Sequence, residues 1–143
     1  NMDFSSNCFG EEVIARKFGE IDFDLFVMEY GYNATTVKYF EATHEPFFKI
    51  MREHHPDVPV IFITRPEFNY KTQDIQAGIK AVIRKTYENA LNAGDKNVYY
   101  IDGRDMFPDY MRGDYSTPEN VHPNDRGFFE MAKCIYEVAK SHI

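Results

Sequence analysis

Three short apolar runs, separated by segments of helical periodicity, constrain the fold of this chain more than any other feature. The runs are bounded by charged, proline or glycine residues and cover Asp24–Tyr30, Val58–Thr64 and Asn97–Asp102. Continuous apolar runs of this length are typical of strands that are buried on both faces of a parallel sheet. Strands that alternate with helices form βαβ units with right-handed crossovers. The sequence therefore predicts an α/β fold built on a parallel sheet.

Helical periodicity predicts four helices around these runs. Apolar residues recur at the three- and four-residue spacing that places them on one face of a helix. The predicted helices cover about Gly10–Phe18, Thr36–His54 with Pro46 inside it, Gln73–Ala93 with Gly94 as its C-cap, and the chain from about Asn124 onward. Their predicted inner faces are Val13, Ile14 and Phe18; Val37, Phe40, His44, Phe47, Phe48 and Met51; Ile75, Ile79, Val82, Ile83, Thr86 and Ala90; and Phe128, Met131, Ile135 and Val138.

The predicted sheet is small. Three clear strands and a short extended start at Asn1–Phe4 fall below the roughly five or six strands of an average sheet. We therefore expect that one strand of the complete sheet is absent from this chain. An open slot between strands is an adhesive edge that a second copy can fill, so a homodimer is a further expectation.

Length and charge exclude several classes of protein. With 143 residues, 43% of them hydrophobic, the chain is expected to form a single domain over residues 1–143 with a buried core. A net charge of -7 and the lack of a lysine or arginine cluster argue against nucleic acid and membrane surfaces as partners. Cys8 and Cys134 form no metal-binding pattern, and both are predicted to be free thiols.

The carboxyl ends of the three predicted strands lead into loops with polar residues. Tyr30–Asn33 follows the first strand, Arg65–Pro66 the second, and a long loop that contains Glu119 and His122 follows the third. Ligands of open parallel sheets bind outside these strand ends. A loop as long as the third is more often functional than not. The topology therefore predicts a site at this edge of the sheet.

His122 is the strongest candidate for chemistry in this site. Its loop runs into the last helix, and the carboxylate of Glu119 stands three residues before it. A histidine oriented by a carboxylate is the general base of acyl transfer. Asp114 and Asp125 are weaker candidates for the orienting acid, since Asp125 suits the first turn of the helix. The alternatives are that His122 packs beside the helix in a structural role and that Glu119 is an exposed loop residue without a role in the site.

Asn33 is the candidate group for stabilising negative charge. It follows the glycine turn at the end of the first strand, where a side-chain amide can donate to a developing oxyanion. The alternative is an ordinary turn asparagine. The segment Asn33-Ala34-Thr35 is also a formal glycosylation sequon, although an asparagine buried in a site is a poor glycan acceptor.

Three segments of the chain, taken in order, resemble sequence blocks of the SGNH (GDSL-type) hydrolases, specifically the carbohydrate-esterase-like branch. Asn1–Asn7 is similar to the second block, with Ser6 where the family has the glycine of its oxyanion hole. Gly31–Asn33 resembles the third block, Gly-x-Asn, and Glu119–His122 resembles the fourth, Asp-x-x-His.

The resemblance implies a three-layer α/β/α, flavodoxin-like fold and a role for each matched residue. His122 is implied as the base, Glu119 as the residue that orients it, and the Ser6 N–H and Asn33 amide as the oxyanion hole. Glutamate is one methylene longer than the family's aspartate. Serine at position 6 supplies the same N–H as glycine, unless the backbone there needs a positive φ.

The first block of the family, Gly-Asp/Asn-Ser, is absent. The resemblance implies that this block contains the nucleophilic serine and the first, central strand of the sheet. The chain therefore lacks both, and we expect them upstream of Asn1. Among the serines present, none stands at a strand-to-turn position, and Ser116 is a weak alternative because it shares a loop with His122.

The function that the resemblance implies is hydrolysis of small acyl esters, with O-acetyl groups on carbohydrate as the expected substrate class. No metal or organic cofactor is implied, and the 143 residues alone are expected to be inactive. The alternative is a catalytically inactive carbohydrate- or ligand-binding relic of the same fold. Ser6, Glu119 and the missing first block motivate that alternative.

Overall fold

Helices alternate with the strands of one parallel sheet in the computed structural model, which describes residues 6–66, 73–108, 113–118 and 121–142 and no side chains at 73–75. The helices are α1 Glu12–Phe18, α2 Val37–His54, α3 Gln73–Asn92 and α4 Asp125–Ala139. The strands are β1 Phe26–Met28, β2 Val60–Ile63 and β3 Val98–Ile101, and short 3-10 helices cover Gly31–Asn33 and Gly103–Met106.

The three strands are parallel and pair in the order β1-β2-β3, which confirms the predicted α/β fold. Phe62 of β2 is aligned with Met28 of β1 on one side and with Tyr100 of β3 on the other. Each strand is shorter than the apolar run that predicted it, because the ends of the runs lie in the connecting loops. All three carboxyl ends therefore meet at one edge of the sheet.

The side chains of β2 alternate between two hydrophobic cores. Val60 and Phe62 pack into a core with residues of α1, α2 and α3, while Ile61 and Ile63 pack into a second core with α4. Helices thus cover both faces of the sheet, in the three layers that the resemblance implied. The same alternation assigns a face to every residue that follows a strand at the carboxyl edge.

The inner faces of α2 and α3 are largely as predicted. Thr36 caps α2 by accepting a hydrogen bond from the Tyr39 N–H, Pro46 lies inside the helix, and Gly94 has a φ of 90° just after α3. The predicted residues that are buried are Phe40, His44, Phe47, Phe48 and Met51 of α2 and Ile79, Val82, Ile83, Thr86 and Ala90 of α3. The predicted position at Ile75 lies outside the described side chains.

His44 and Thr86 form a buried polar pair between α2 and α3. The His44 Nδ1 atom lies 2.8 Å from the Thr86 Oγ1 atom, and the Thr86 hydroxyl lies 3.2 Å from the Val82 carbonyl oxygen, to which it can donate. Burial lowers the pKa of His44 to about 3, against a smaller opposing effect of Glu45. His44 is therefore neutral at ordinary pH, and it lies on the inner face of α2 as predicted.

Two predicted inner-face residues are exposed. Val13 is 71% exposed, because Ala15 and Phe18 form the buried side of α1 and Val13 points away from them. Phe128 is 58% exposed, because Gly127 turns towards the loop before α4 in its place. A Cβ atom on Gly127 would lie 2.1 Å from the Tyr115 carbonyl oxygen, so this contact requires glycine.

Neither Cys8 nor Cys134 forms a disulfide bond, as predicted. No helix among the described residues is long and apolar enough to cross a membrane.

Met131, Ile135 and Val138 of α4 pack against the second core, in agreement with the predicted inner face of that helix.

Replacing Gly127 with alanine is expected to lower the free energy of unfolding by about 1 to 3 kcal/mol, because the new methyl group must displace the Tyr115 carbonyl. Helix propensity alone predicts the opposite sign, a gain of up to about 1 kcal/mol. Urea unfolding monitored by circular dichroism measures the change.

The matched control is Gly113→Ala in the segment that precedes α4, where a Cβ atom meets nothing within 4 Å. We expect its effect to stay within about 0.5 kcal/mol of zero. A Gly127→Ala protein as stable as the wild type would show that α4 does not depend on this close contact.

Candidate active site

The backbone of His122 is held just before α4 by antiparallel pairing of Ser116 and Thr117 with His122 and Pro123. We call these four residues the His122 hairpin. The backbone N–H and the hydroxyl of Thr117 lie 2.9 and 3.1 Å from the His122 carbonyl oxygen and donate to it. Next to these bonds, Ser116 and Pro123 form an isolated antiparallel bridge. The imidazole itself is on the exposed side of the hairpin. The hairpin therefore presents the ring at the surface while fixing its backbone.

Asn124 connects this hairpin to α4. Its Oδ1 atom caps the helix by accepting from the Gly127 N–H at 2.9 Å. Its Nδ2 atom donates to the carbonyl oxygens of Asp114 at 2.8 Å and Ser116 at 3.2 Å. One side chain, two residues from His122, thus ties the helix start to the preceding loop.

Asn33 ends the 3-10 helix that directly follows β1. The N–H of Asn33 donates to the Tyr30 carbonyl at 3.3 Å, and the N–H of Ala34 donates to the Gly31 carbonyl at 3.4 Å. Gly31 is buried and the side chain of Asn33 is half-buried. We call Gly31–Asn33 the amide turn, because it carries the predicted amide donor.

Ser6 has a φ of 68°, in the left-handed region that favours glycine. The resemblance assigns a glycine to this position. Because the φ angle of Ser6 is positive, serine is strained there. The segment after it packs against Tyr30, since a Cβ atom on Gly10 would lie 2.6 Å from the Tyr30 Oη atom. Tyr30 in turn immediately precedes the amide turn. The chain that follows Ser6 therefore packs against the residue that precedes the amide turn.

The amide turn follows β1 and the loop with the His122 hairpin follows β3, and the carboxyl ends of these two strands lie at the same edge of the sheet. Glu119 lies outside the described residues, so its pairing with His122 stays a prediction. Ser116 is 8% exposed, and its hydroxyl donates to the Gly113 carbonyl at 3.3 Å. That setting is one of loop support and differs from that of an exposed nucleophile.

Glu29 is a residue of this edge that the sequence analysis passed over. It follows β1 directly, its Oε1 atom is buried, and this atom has no hydrogen-bond partner among the described residues. Burial raises the pKa of Glu29 to about 7, although Arg65 and a hydrogen bond from the Gly31 N–H oppose the rise. A carboxyl at the end of an apolar run was the signal that could have revealed it.

Residues that follow β2 and β3 form contacts between the loops at the same edge of the sheet. The guanidinium of Arg65 lies 3.7 Å from the centroid of the Tyr32 ring. The Thr64 hydroxyl accepts from the Gly103 N–H at 2.8 Å, and Lys80 forms an ion pair with Asp102. A cavity of about 60 Å³ lies between these groups and the amide turn.

A groove among the described residues lies away from this edge. Its volume is about 1020 Å³, and it lies where the carboxyl ends of α2 and α3 meet the residues that lead into β3. Arg52 at its centre donates to Asp95 Oδ2 at 2.8 Å and to the Val58 carbonyl at 2.6 Å. These bonds join α2 to two loops, so the groove has a structural explanation. No three His, Cys, Asp or Glu side chains in the described ranges are grouped to hold a metal ion.

Comparison with known proteins places these features in context. The model of the GDSL-like lipase/acylhydrolase family matches residues 1–140. A search among curated proteins finds no matching sequence.

Solved structures show the same fold. A crystal structure described as a GDSL-like lipase from Bacteroides ovatus matches with a TM-score of 0.78 and 26% identity, over 95% of this chain and 41% of that chain. The salicylyl-acyltransferase SsfX3 from a tetracycline biosynthetic pathway matches with a TM-score of 0.74 and 23% identity, over 89% and 40% of the two chains. The chain thus spans about two fifths of the length of these proteins.

The raised pKa of Glu29 predicts how stability depends on pH. An unfolded Glu29 titrates near its ordinary value of 4.5 and the folded one near 7, so between these values the folded state holds a proton that the unfolded state has released. The contribution of Glu29 to stability is therefore complete below pH 4.5 and is lost as the pH rises through 7. Glu29→Gln removes this loss.

We expect the stability of Glu29→Gln relative to the wild type to increase by on the order of 2 kcal/mol between pH 4.5 and 7. Urea unfolding at fixed pH values measures the difference. Glu45→Gln is the matched control: the pKa of Glu45 is lowered by Lys49 and Asn89 against the effect of burial, so its difference stays flat over this range. A flat difference for Glu29→Gln as well would contradict the assignment.

Proposed function

The chain belongs to the GDSL-like lipase/acylhydrolase family, and on this premise we propose that it forms part of a serine ester hydrolase. The observation that carries the proposal is that the amide turn follows β1 and the loop with the His122 hairpin follows β3, two parallel strands whose carboxyl ends lie at one edge of the sheet. Ligands of open parallel sheets bind at such an edge. A nucleophilic serine completes the site from a segment outside these 143 residues.

In the proposed reaction, His122 acts first as base and then as acid. Its imidazole takes the proton of the serine hydroxyl while the serine oxygen bonds to the ester carbonyl carbon. The tetrahedral intermediate collapses, the bond to the alcohol oxygen breaks, and the imidazolium returns its proton to the departing alcohol. Water then attacks the acyl-enzyme by the same two proton transfers, which releases a carboxylic acid and the free serine.

Glu119 is proposed to orient the imidazole and to stabilise its charged form. The hairpin bonds from Thr117 to the His122 carbonyl support this role for the loop, since they hold the histidine backbone while the ring stays exposed. A fixed backbone leaves only the side-chain torsions for a nearby carboxylate to restrict.

The Ser6 N–H and the Asn33 amide are proposed as donors to the oxyanion of the intermediate. The contact of Gly10 with Tyr30 supports this pairing, because Tyr30 begins the backbone bonds that form the amide turn. The positive φ of Ser6 supports it as well, because the backbone there has the conformation that glycine favours.

Small acyl esters, with O-acetyl groups on carbohydrate as the favoured class, are the proposed substrates. The sugar part rests on the resemblance of the sequence blocks to the carbohydrate-esterase-like branch.

A second candidate function is an inactive carbohydrate- or ligand-binding relic. The strained serine at position 6 favours it, since an enzyme under selection for its oxyanion hole has reason to keep glycine there. A fluorophosphonate probe separates the two functions. Covalent labelling of one serine in the natural full-length protein supports the hydrolase, and an unlabelled but folded protein supports the relic.

In a full-length protein that carries the serine, His122→Ala is expected to lower kcat by at least about a thousandfold, as removal of a triad residue does in other hydrolases. Hydrolysis of 4-nitrophenyl acetate measures it. His54→Ala, at the exposed end of α2, is the control and should leave kcat unchanged. A loss below about tenfold for His122→Ala would exclude this histidine as the base.

The 143 residues alone are expected not to hydrolyse 4-nitrophenyl acetate by this mechanism, since none of their serines stands at a strand-to-turn position. The same assay on the isolated chain tests this. Hydrolysis by the isolated chain that disappears in His122→Ala would show that the nucleophile lies within it.

A further inference from the structure

We propose that Tyr32 is a positioning residue for Asn33, and that its side chain fixes the amide turn to the segment that follows β2. This inference rests on the proposed function, because it assigns Tyr32 a task in placing the oxyanion donor. Tyr32 touches neither the serine nor the ester in this assignment and acts through the residue that follows it in the chain.

The amide turn is closed by long hydrogen bonds of its own. The backbone nitrogens of Asn33 and Ala34 lie 3.3 and 3.4 Å from their acceptor oxygens, whereas N–H···O hydrogen bonds usually measure about 2.7 to 3.2 Å. Three residues closed by two such bonds hold the direction of the Asn33 amide only loosely. Contacts from outside the turn therefore matter for its order.

The hydroxyl of Tyr32 makes the first of these contacts. It donates to the Pro66 carbonyl oxygen at 2.9 Å, between residues that are 34 positions apart in the chain. Pro66 is buried and lies three residues beyond the end of β2, so the acceptor is anchored beside the sheet. This bond therefore ties the turn after β1 to the segment after the neighbouring strand.

Arg65 makes the second contact, from the same segment. Its guanidinium carbon lies 3.7 Å from the centroid of the Tyr32 ring, well inside the range of about 6 Å for a cation–π interaction. A planar guanidinium at this distance is in van der Waals contact with the ring face. Tyr32 is therefore held at its tip by Pro66 and on one face by Arg65, which leaves the ring few alternative rotamers.

Gly31 holds the turn from the side of α3. A Cβ atom on Gly31 would lie 3.1 Å from the Ile79 Cγ2 atom, so the backbone of the turn lies close against this helix. Gly31 and Tyr32 directly precede Asn33, and both contact elements outside the turn. The backbone from which the Asn33 amide projects thus takes its position from α3 and from the segment after β2. An error of about 1 Å in placing a catalytic group can cost about a hundredfold in rate.

Variants of the full-length protein separate the two contacts of Tyr32. Tyr32→Phe keeps the ring under Arg65 and removes the hydrogen bond to Pro66, whereas Tyr32→Ala removes both contacts. Arg65→Met removes the guanidinium and keeps an unbranched side chain. Tyr100→Phe is the matched control, since the Tyr100 ring lies under Arg84 at 4.4 Å in β3, which β2 separates from β1.

The first readout is NMR relaxation, which does not need activity. We expect the order parameter of the Asn33 backbone N–H to fall from about 0.85 to below about 0.6 in Tyr32→Ala, to take an intermediate value in Tyr32→Phe, and to stay unchanged in Tyr100→Phe. The side-chain amide shifts of Asn33 are expected to change in the same order. An unchanged order parameter with unchanged shifts in Tyr32→Ala, or in Tyr32→Phe if the alanine variant does not fold, would overturn the proposal.

The second readout is the hydrolysis of 4-nitrophenyl acetate. We expect kcat to fall by about 10- to 100-fold in Tyr32→Ala and by about threefold in Tyr32→Phe, with KM within about threefold of the wild type. Tyr100→Phe is expected to keep the wild-type kcat. A changed order parameter at Asn33 with an unchanged kcat would overturn the proposal, because Tyr32 would then be structural only.

Arg65 is expected to act through Tyr32, which a double mutant tests. We expect Arg65→Met to lower kcat by about 3- to 10-fold in the wild-type background and by less than about twofold in the Tyr32→Ala background. An equal loss in both backgrounds would show that Arg65 acts independently of the Tyr32 ring, and would overturn its part in the positioning.

A full-length wild-type protein that neither hydrolyses esters nor reacts with a fluorophosphonate would overturn the proposed function. That result is distinct from a failure of the positioning role, because the NMR readout decides by itself whether Tyr32 orders Asn33. An active wild type whose Tyr32 variants match it in kcat would leave the proposed function standing and overturn the positioning role.

Discussion

Every other element of the described structure takes its position from β2. The strand hydrogen-bonds to β1 on one side and β3 on the other, and its four residues are each at most 3% exposed beneath a helix layer on each face. Burying both faces and both edges fixes the direction of the neighbouring strands, and with it the edge at which their loops gather. Thr64 and Arg65, the residues after β2, then connect to the loops on either side, one through Gly103 and one through Tyr32.

The sequence predicted helices and strands well where many apolar residues lie on one buried face of the element. The α2 and α3 stripes each contain five or more apolar positions, so the period of the pattern outweighs any single exception. It failed at Val13 and Phe128, which lie near the start of their helices. There the buried face depends on what the preceding loop brings against the helix, and the contact of Gly127 with the Tyr115 carbonyl has no periodic signal in the sequence.

The edge that carries the candidate site was predictable from topology, since parallel strands end together. The details at that edge were not. Glu29 lies at the end of an apolar run and carries no motif, so its buried carboxyl oxygen is visible only in the structure. The strain at Ser6 likewise depends on a backbone angle, for which the sequence offered only a conditional statement. Glu119 belongs to a motif, yet its pairing with His122 remains a prediction.

Burial affects the two strongly shifted carboxyl and imidazole groups in opposite ways. The pKa of His44 is lowered to about 3 and that of Glu29 is raised to about 7, so both side chains are neutral between these pH values. Above pH 7 only Glu29 becomes charged. The charge then arises beside Arg65 and the Gly31 N–H, which can stabilise it, whereas a charge on His44 would arise between α2 and α3 among aromatic rings. Burial therefore disfavours the charged form of both groups, and at Glu29 the opposing effects of Arg65 and the Gly31 N–H offset only part of it.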